Sequence, residues 1–220
     1  MKYINIHTHQ LQSPIDEHSV FNHSIGKDTE YATYYTAGIH PRFIDETNYE
    51  AQLTKLQEAV TSTNCVGVGE CGIDKLKGTE SSIQEKIFIE HIRLAKKINK
   101  PLIIHCVKAF QEVLKCLRIE KFEGSFIIHG FNSNLEQAKP FLKMPNAYFS
   151  FGSALIQNGS NAELLIKILP LNRFFLETDD KAISIKNIYD AAVEINGISE
   201  QSLSQQIINN YKKVFVHGLD

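Results

Sequence analysis

The chain is 220 residues long, with 23 Lys and Arg, 25 Asp and Glu, and 43% hydrophobic residues. This reads as one folded α/β domain over residues 1–220, with no global basic field to drive non-specific nucleic-acid binding and no apolar run of membrane length. Its four cysteines, Cys65, Cys71, Cys106 and Cys116, form no C-x-x-C pair, and are expected to be reduced thiols of a cytoplasmic protein.

The first expected strand is Lys2 to His9, where alternation puts His7 and His9 on one face. Residues 10–30 carry no helical periodicity, although Ser19 to His23 has the character of a short strand. Tyr34 to Pro41 is a further strand, and Asp45 to Thr61 reads as a helix through Leu53, Leu56 and Val60. Cys65 to Asp74 follows as a buried strand with no charge before Glu70, and Gly69 and Gly72 flank that acid. Ser81 or Ser82 is expected to cap a helix that runs to about Asn99 and stops at Lys100-Pro101. Leu102 to His105 is the next strand, followed by a helix through Phe110, Val113, Leu114 and Leu117. Ser125 to Gly130 repeats the strand pattern, then come a helix at 135–142, a strand at 147–152, a helix at 162–169 and a strand from Arg173 to Asp179. Two helices, roughly 184–195 and 199–215, close the chain.

Up to eight strands, mostly followed by helices, imply a parallel sheet and a closed TIM-type (β/α)8 barrel. The spacing before Tyr34 is too short for two complete units, so the earliest helices are expected to be missing or reduced. Leu203, Ile207, Tyr211 and Phe215 are then candidates to cover the first strands. A doubly wound open sheet is the alternative architecture.

Of nine histidines, His7, His9, His40, His105 and His129 fall at the C-terminal ends of expected strands, and Glu70 and Asp179 hold the same position on two others. In a barrel these ends ring one mouth. So many imidazoles and carboxylates in one pocket need a cation or hydrogen bonds to compensate them, and the donor set suits divalent ions, two bridged by a carboxylate rather than one.

Six segments together resemble the TatD-related metal-dependent hydrolases of the amidohydrolase-like barrels: Asn5 to His9, Gly38 to Pro41, Gly69 to Asp74, Lys100 to His105, Ile128 to Phe131, and Leu176 to Asp179. Asn210 to Phe215 is similar to that family's closing helix. The resemblance implies a TIM-type barrel, two divalent metal ions (zinc, magnesium or manganese) and hydrolysis of phosphodiester bonds in DNA. By that resemblance His7, His9 and Asp179 hold one ion, His105 and His129 the other, and Glu70 bridges them. The sequence departs from the family where Asn5 stands for the usual Asp, where Val107-Lys108 stands for Arg and an acid, and where Asp180-Lys181-Ala182 stands for Ser-Pro-Tyr.

Each residue has a plainer reading beside the functional one. Glu70 could cap the following loop, and Asp179 could be a helix N-cap. His40 could bind a substrate phosphate or assist the leaving group, and Asp74 could pin its loop or touch substrate. Arg42, Lys75, Lys77 and Lys108 follow strand ends, where they could attract phosphates or be solvated loop charges. Glu177 reads as structural, Cys71 and Cys106 as packing, and His91 as core or partner-facing, while His18, His23 and His217 receive no role. In the expected mechanism Asp179 orients a water and accepts its proton. An enzyme opening a C–N or lactone bond in a small molecule, or a degenerate metal-binding member, are the alternative functions.

Overall fold

The computed structural model describes residues 2–27 and 32–215. Eight strands lie in the order β1 to β8, and every neighbouring pair is parallel. They are β1 (Tyr3–Thr8), β2 (Glu17–Ser24), β3 (Tyr35–Gly38), β4 (Cys65–Asp74), β5 (Leu102–Val107), β6 (Phe126–Ile128), β7 (Ala147–Phe151) and β8 (Phe174–Leu176). A parallel bridge between Thr8 and Asp179 joins the last strand end to the first. The barrel expectation holds, and the open sheet is excluded.

The helices are α1 (Tyr49–Ala59), α2 (Ser81–Ile98), α3 (Phe110–Ile119), α4 (Leu135–Leu142), α5 (Asn161–Ile166), α6 (Ile185–Asn196) and α7 (Glu200–Val214). Among the described residues no helix follows β1 or β2, as the short spacing requires. Other elements cover these strands. Tyr189 of α6 bonds both Ile4 N and Ile4 O, at 3.0 and 3.2 Å, and Tyr211 Oη of α7 lies 3.0 Å from His18 Nε2 on β2. Leu203, Ile207, Tyr211 and Phe215 are all buried, as their helical spacing predicts.

Element ends differ from the sequence reading where side chains or backbone compete. Residue 80, not Ser81 or Ser82, occupies the N-cap of α2, and its Glu side chain makes no capping bond. Asn99 ends that helix in the left-handed conformation before Lys100-Pro101. Ladders β6 and β8 are only three residues long, so His129 and Asp179 stand just beyond their strands.

All residues of β4 are buried, as expected of a strand covered on both faces. A Cβ at Gly69 would meet the Ile103 carbonyl and one at Gly72 the His105 carbonyl, so glycine lets β5 close on the strand that carries Glu70. All four cysteines are free thiols. Cys71 Sγ points to the Ile103 carbonyl at 3.6 Å, and burial pushes the Cys106 thiol up to about 12, which fits packing roles. His217 lies outside the described residues.

Candidate metal centre

Glu70 is the hub. Its Oε1 lies 2.7 Å from His105 Nδ1, 2.8 Å from His129 Nε2 and 3.2 Å from His40 Nε2. Its Oε2 lies 3.5 Å from His7 Nε2 and 3.9 Å from His9 Nε2. Asp179 Oδ1 faces the same two rings, 3.6 Å from His7 Nε2 and 3.3 Å from His9 Nε2. Three sets of donor atoms each lie within 4.8 Å of one another: His7, His9 and Asp179; His7, Glu70 and His129; His40, Glu70 and His105. The structure thus brings all six proposed ligands to one point, with His40 beside them.

The electrostatics describe a site built for positive charge. Burial and the nearby His129 oppose a proton on His7, yet Asp179 and Glu70 outweigh them and raise it to about 9. His129 is likewise raised well above its ordinary value, against its burial, chiefly by Glu70 and Glu177. Burial works against ionised Glu70, but His129, His105 and His40 hold its carboxyl well below the usual range. Asp179 is held below its usual range by His7 and His9, again against burial. Among the described residues, fully buried His7 has no hydrogen-bond partner at either Nδ1 or Nε2. An imidazole with two orphaned nitrogens, aimed between two carboxylates, fits a metal ligand and is costly otherwise.

His40 differs from the other imidazoles. The Arg42 backbone N–H donates to its Nδ1 at 3.0 Å, because His40 caps the short 3-10 turn Pro41–Phe43. Burial lowers its pKa, so the ring is neutral and carries its one proton on Nε2. That nitrogen is a donor toward the pocket, which separates His40 from the ligands.

Several positioning groups escaped the sequence reading. Asn22 on β2 donates from Nδ2 to Glu70 Oε2 at 2.9 Å and accepts from Glu70 N at 3.1 Å. Glu177, read as structural, lies 3.4 Å from His129 Nδ1, and accepts from Ser150 Oγ. Asp74 pins its loop, one of the two readings considered for it, and also stands behind His105. Its Oδ1 accepts from Leu76 N and Lys77 N, at 2.9 and 3.1 Å, while Oδ2 accepts from Arg42 Nε at 2.7 Å and lies 3.4 Å from His105 Nε2. A carboxylate thus stands behind His105 and another behind His129, the usual support for a metal-binding imidazole. Their signal in the sequence is faint, because each pair is joined across separate strands, 31 to 48 positions apart.

The rim cations fare unevenly. Arg42 is tied to Asp74, and Lys75 to Glu112 at 2.5 Å, so neither is a free phosphate anchor. Lys77 and Lys108 make no ion pair among the described residues. His91 belongs to the core. Its Nε2 accepts from Ile39 N at 2.9 Å, Nδ1 lies 2.7 Å from Ile87 O, and burial lowers its pKa to about 4.

Fold and donor set together define a metal-dependent hydrolase on a (β/α)8 barrel. The chain belongs to the TatD related DNase family, which it matches over residues 8–216. It is 29% identical over 204 residues to the uncharacterized metal-dependent hydrolase YabD of Bacillus subtilis, covering 84% of this chain and 79% of that one. It is 26% identical over 196 residues to a protein of Buchnera aphidicola with the same description, covering 82% and 73%. Among solved structures, YJJV, a TatD homolog from Escherichia coli K12, superposes with a TM-score of 0.84 over 98% of both chains at 20% identity, which supports the barrel. No helix among the described residues is long and apolar enough to cross a membrane.

Proposed function

We propose that the chain acts as one hydrolase domain that cleaves phosphodiester bonds in DNA with two divalent ions, zinc, magnesium or manganese. The observation that carries this reading is buried His7, whose Nε2 faces Glu70 Oε2 at 3.5 Å and Asp179 Oδ1 at 3.6 Å, with no hydrogen bond at either ring nitrogen among the described residues. His7, His9 and Asp179 would hold one ion, His105 and His129 the other, and Glu70 both. Such ions, when bound, supply a water that ionises near neutral pH and positive charge for phosphoryl oxygens.

The side chains divide the remaining work. Asp179 is the more open of the two central carboxylates, with its side chain 35% exposed against 3% for Glu70. It orients the attacking water and accepts its proton. Glu70 stays ionised and takes no proton. Neutral His40 presents Nε2–H to the phosphoryl or leaving oxygen, and Asn22 keeps Glu70 turned to both sets of imidazoles. Lys108 and Lys77 remain as rim cations for the flanking phosphates, whereas Arg42, Lys75 and Asp74 shape the loop that backs His105.

The test is a substrate panel with each of the three metals: a DNA oligonucleotide, a chromogenic phosphodiester, a lactone and a cyclic amide. Metal-dependent cleavage of the first two is expected. Turnover confined to the lactone or amide would replace the phosphodiesterase reading with the small-molecule one.

A further inference from the structure

His7, His9 and Asp179 come from opposite ends of the barrel sequence, and they meet only because β1 and β8 close a seam. The backbone contributes two hydrogen bonds there, Asp179 N to His7 O at 3.0 Å and His9 N to Asp179 O at 3.1 Å. Asp179 itself has φ of 52°, a left-handed conformation that a non-glycine residue adopts at some cost and keeps only when its neighbours hold it.

The side chain of Asn5 supplies that hold. It is buried, 2% exposed, on the strand that carries both histidines. Its Oδ1 accepts from Thr178 N at 3.1 Å, and its Nδ2 donates to Thr178 Oγ1 at 2.9 Å. The second Nδ2 hydrogen goes to Glu17 Oε1 at 2.8 Å. Thr178 Oγ1, having accepted from Asn5, donates to Thr8 Oγ1 at 3.0 Å. One amide therefore grips both the backbone and the hydroxyl of the residue before Asp179, and passes the contact on to the residue between His7 and His9.

An amide meets the direction of all three bonds at once. Turned over, Asn5 would aim Oδ1 at the Glu17 carboxylate. A carboxylate at position 5 would do the same, and Thr178 Oγ1 would then donate to it in place of Thr8 Oγ1. A polar cavity of about 280 Å³ lies against Asn5 and Glu17, lined also by Gln10, Gln12 and Ser19, and keeps Glu17 in reach of water.

We propose that Asn5 is a positioning residue: oriented by the Glu17 carboxylate, its amide holds Thr178 and so fixes Asp179 against His7 and His9. The proposal rests on the reading of those three residues as the ligands of one ion. Asn5 touches neither ion nor substrate, and its effect is on how well the ion's ligands are preorganised. Loss of a group that orients a metal ligand commonly weakens metal binding by about 10–100-fold.

The full chain, stripped of metal, is titrated calorimetrically with manganese, and the melting temperature of each metal-free protein is recorded. Asn5→Asp and Thr178→Val should each weaken binding of one manganese ion by about tenfold or more. Asn5→Asp combined with Glu17→Gln restores a donor facing an acceptor and should recover most of the loss. Variants that melt lower yet bind manganese as tightly as wild type would reduce Asn5 to a structural residue. A double variant no better than Asn5→Asp would overturn the part assigned to Glu17. Should Asn5→Asp fail to fold, Thr178→Val, which keeps the shape and removes only the hydroxyl, decides the matter. A wild-type protein with no affinity for manganese, zinc or magnesium would overturn this proposal and the metal reading together, whereas tight binding without phosphodiesterase activity would leave this one standing and remove only the substrate.

Discussion

The two sides of Glu70 are built on different plans. On one side His105 has Asp74 behind it and His129 has Glu177, each 3.4 Å from the ring nitrogen that faces away from Glu70. On the other, His7 Nδ1 has no hydrogen-bond partner among the described residues, and the ring's alignment comes from β1, the Thr8–Asp179 bridge and the Asn5–Thr178 contact. A carboxylate behind an imidazole fixes its tautomer and raises its basicity as a ligand. The first side is thus organised by side-chain partners, ring by ring, and the second by closure of the barrel. The expected consequence is one ion held tightly by His105 and His129 and one exchanged more readily at His7, His9 and Asp179.

The largest effect comes from removing what the sides share. Glu70→Gln keeps the shape and loses the charge that faces both. It should fold normally, retain less than one ion in place of two, and lose phosphodiesterase activity by at least about 100-fold, since one catalytic electrostatic group commonly contributes that much. Elemental analysis after reconstitution and the oligonucleotide assay read both. Retention of two ions and full turnover would make the Cys65–Asp74 strand a core strand only.

Asp179→Asn tests the seam side alone. The loss of the proposed base should lower turnover by about 100-fold. The weaker ion should be lost from solution binding while the ion at His105 and His129 stays. If both ions weaken equally, the two sides are not independent. Smaller effects are expected behind the imidazoles, where Glu177→Gln and Asp74→Asn should each weaken the tighter ion by about tenfold and leave the weaker one unchanged. Competition with a chelator measures this.

On both sides the candidate ligands were visible from sequence and the groups behind them were not. Strand-end histidines and the Glu70 strand stood out because barrel strands alternate with amphipathic helices and place their last residues at one mouth. Missing early helices followed from counting residues before Tyr34. The supporting shell did not show. Asn22 sits in a polar stretch whose strand pattern is weak, and it meets Glu70 across 48 positions. Glu177 looked too deep along β8 to matter, and its partner is 48 positions away. Arg42 and Lys75 looked like free cations because their acids, Asp74 and Glu112, are distant in sequence. Periodicity reports which face a residue takes, whereas side-chain pairs across a closed barrel depend on register, which local sequence does not encode.

His91 sharpens the comparison at its far end, and its titration has no expected effect at neutral pH. It lies beneath the His105 side, where its Nε2 accepts from Ile39 N and so fixes the backbone that leads into His40. Burial lowers its pKa from the ordinary 6.5 to about 4. Between these values the unfolded chain binds a proton that the folded chain does not, so stability must fall as pH drops from 6.5 toward 4, by on the order of 3 kcal/mol at the lower end. His18, lowered in the same direction by its own burial, adds to the slope. His7 and His129, raised above the ordinary value, act in the opposite sense, stabilising the fold as pH falls toward about 6 and adding little slope below it. Glu70 and Asp179, held below their usual range, act mainly as pH falls through 4. Urea unfolding of metal-free protein at pH 7, 5.5 and 4.5 should therefore show a steep loss in wild type. The slope should be shallower in His91→Gln, even where that variant is less stable throughout. Equal slopes would mean that His91 already opens to solvent in the folded chain, and that the turn carrying His40 is held by Arg42 N–H and the Glu70 contact rather than from below.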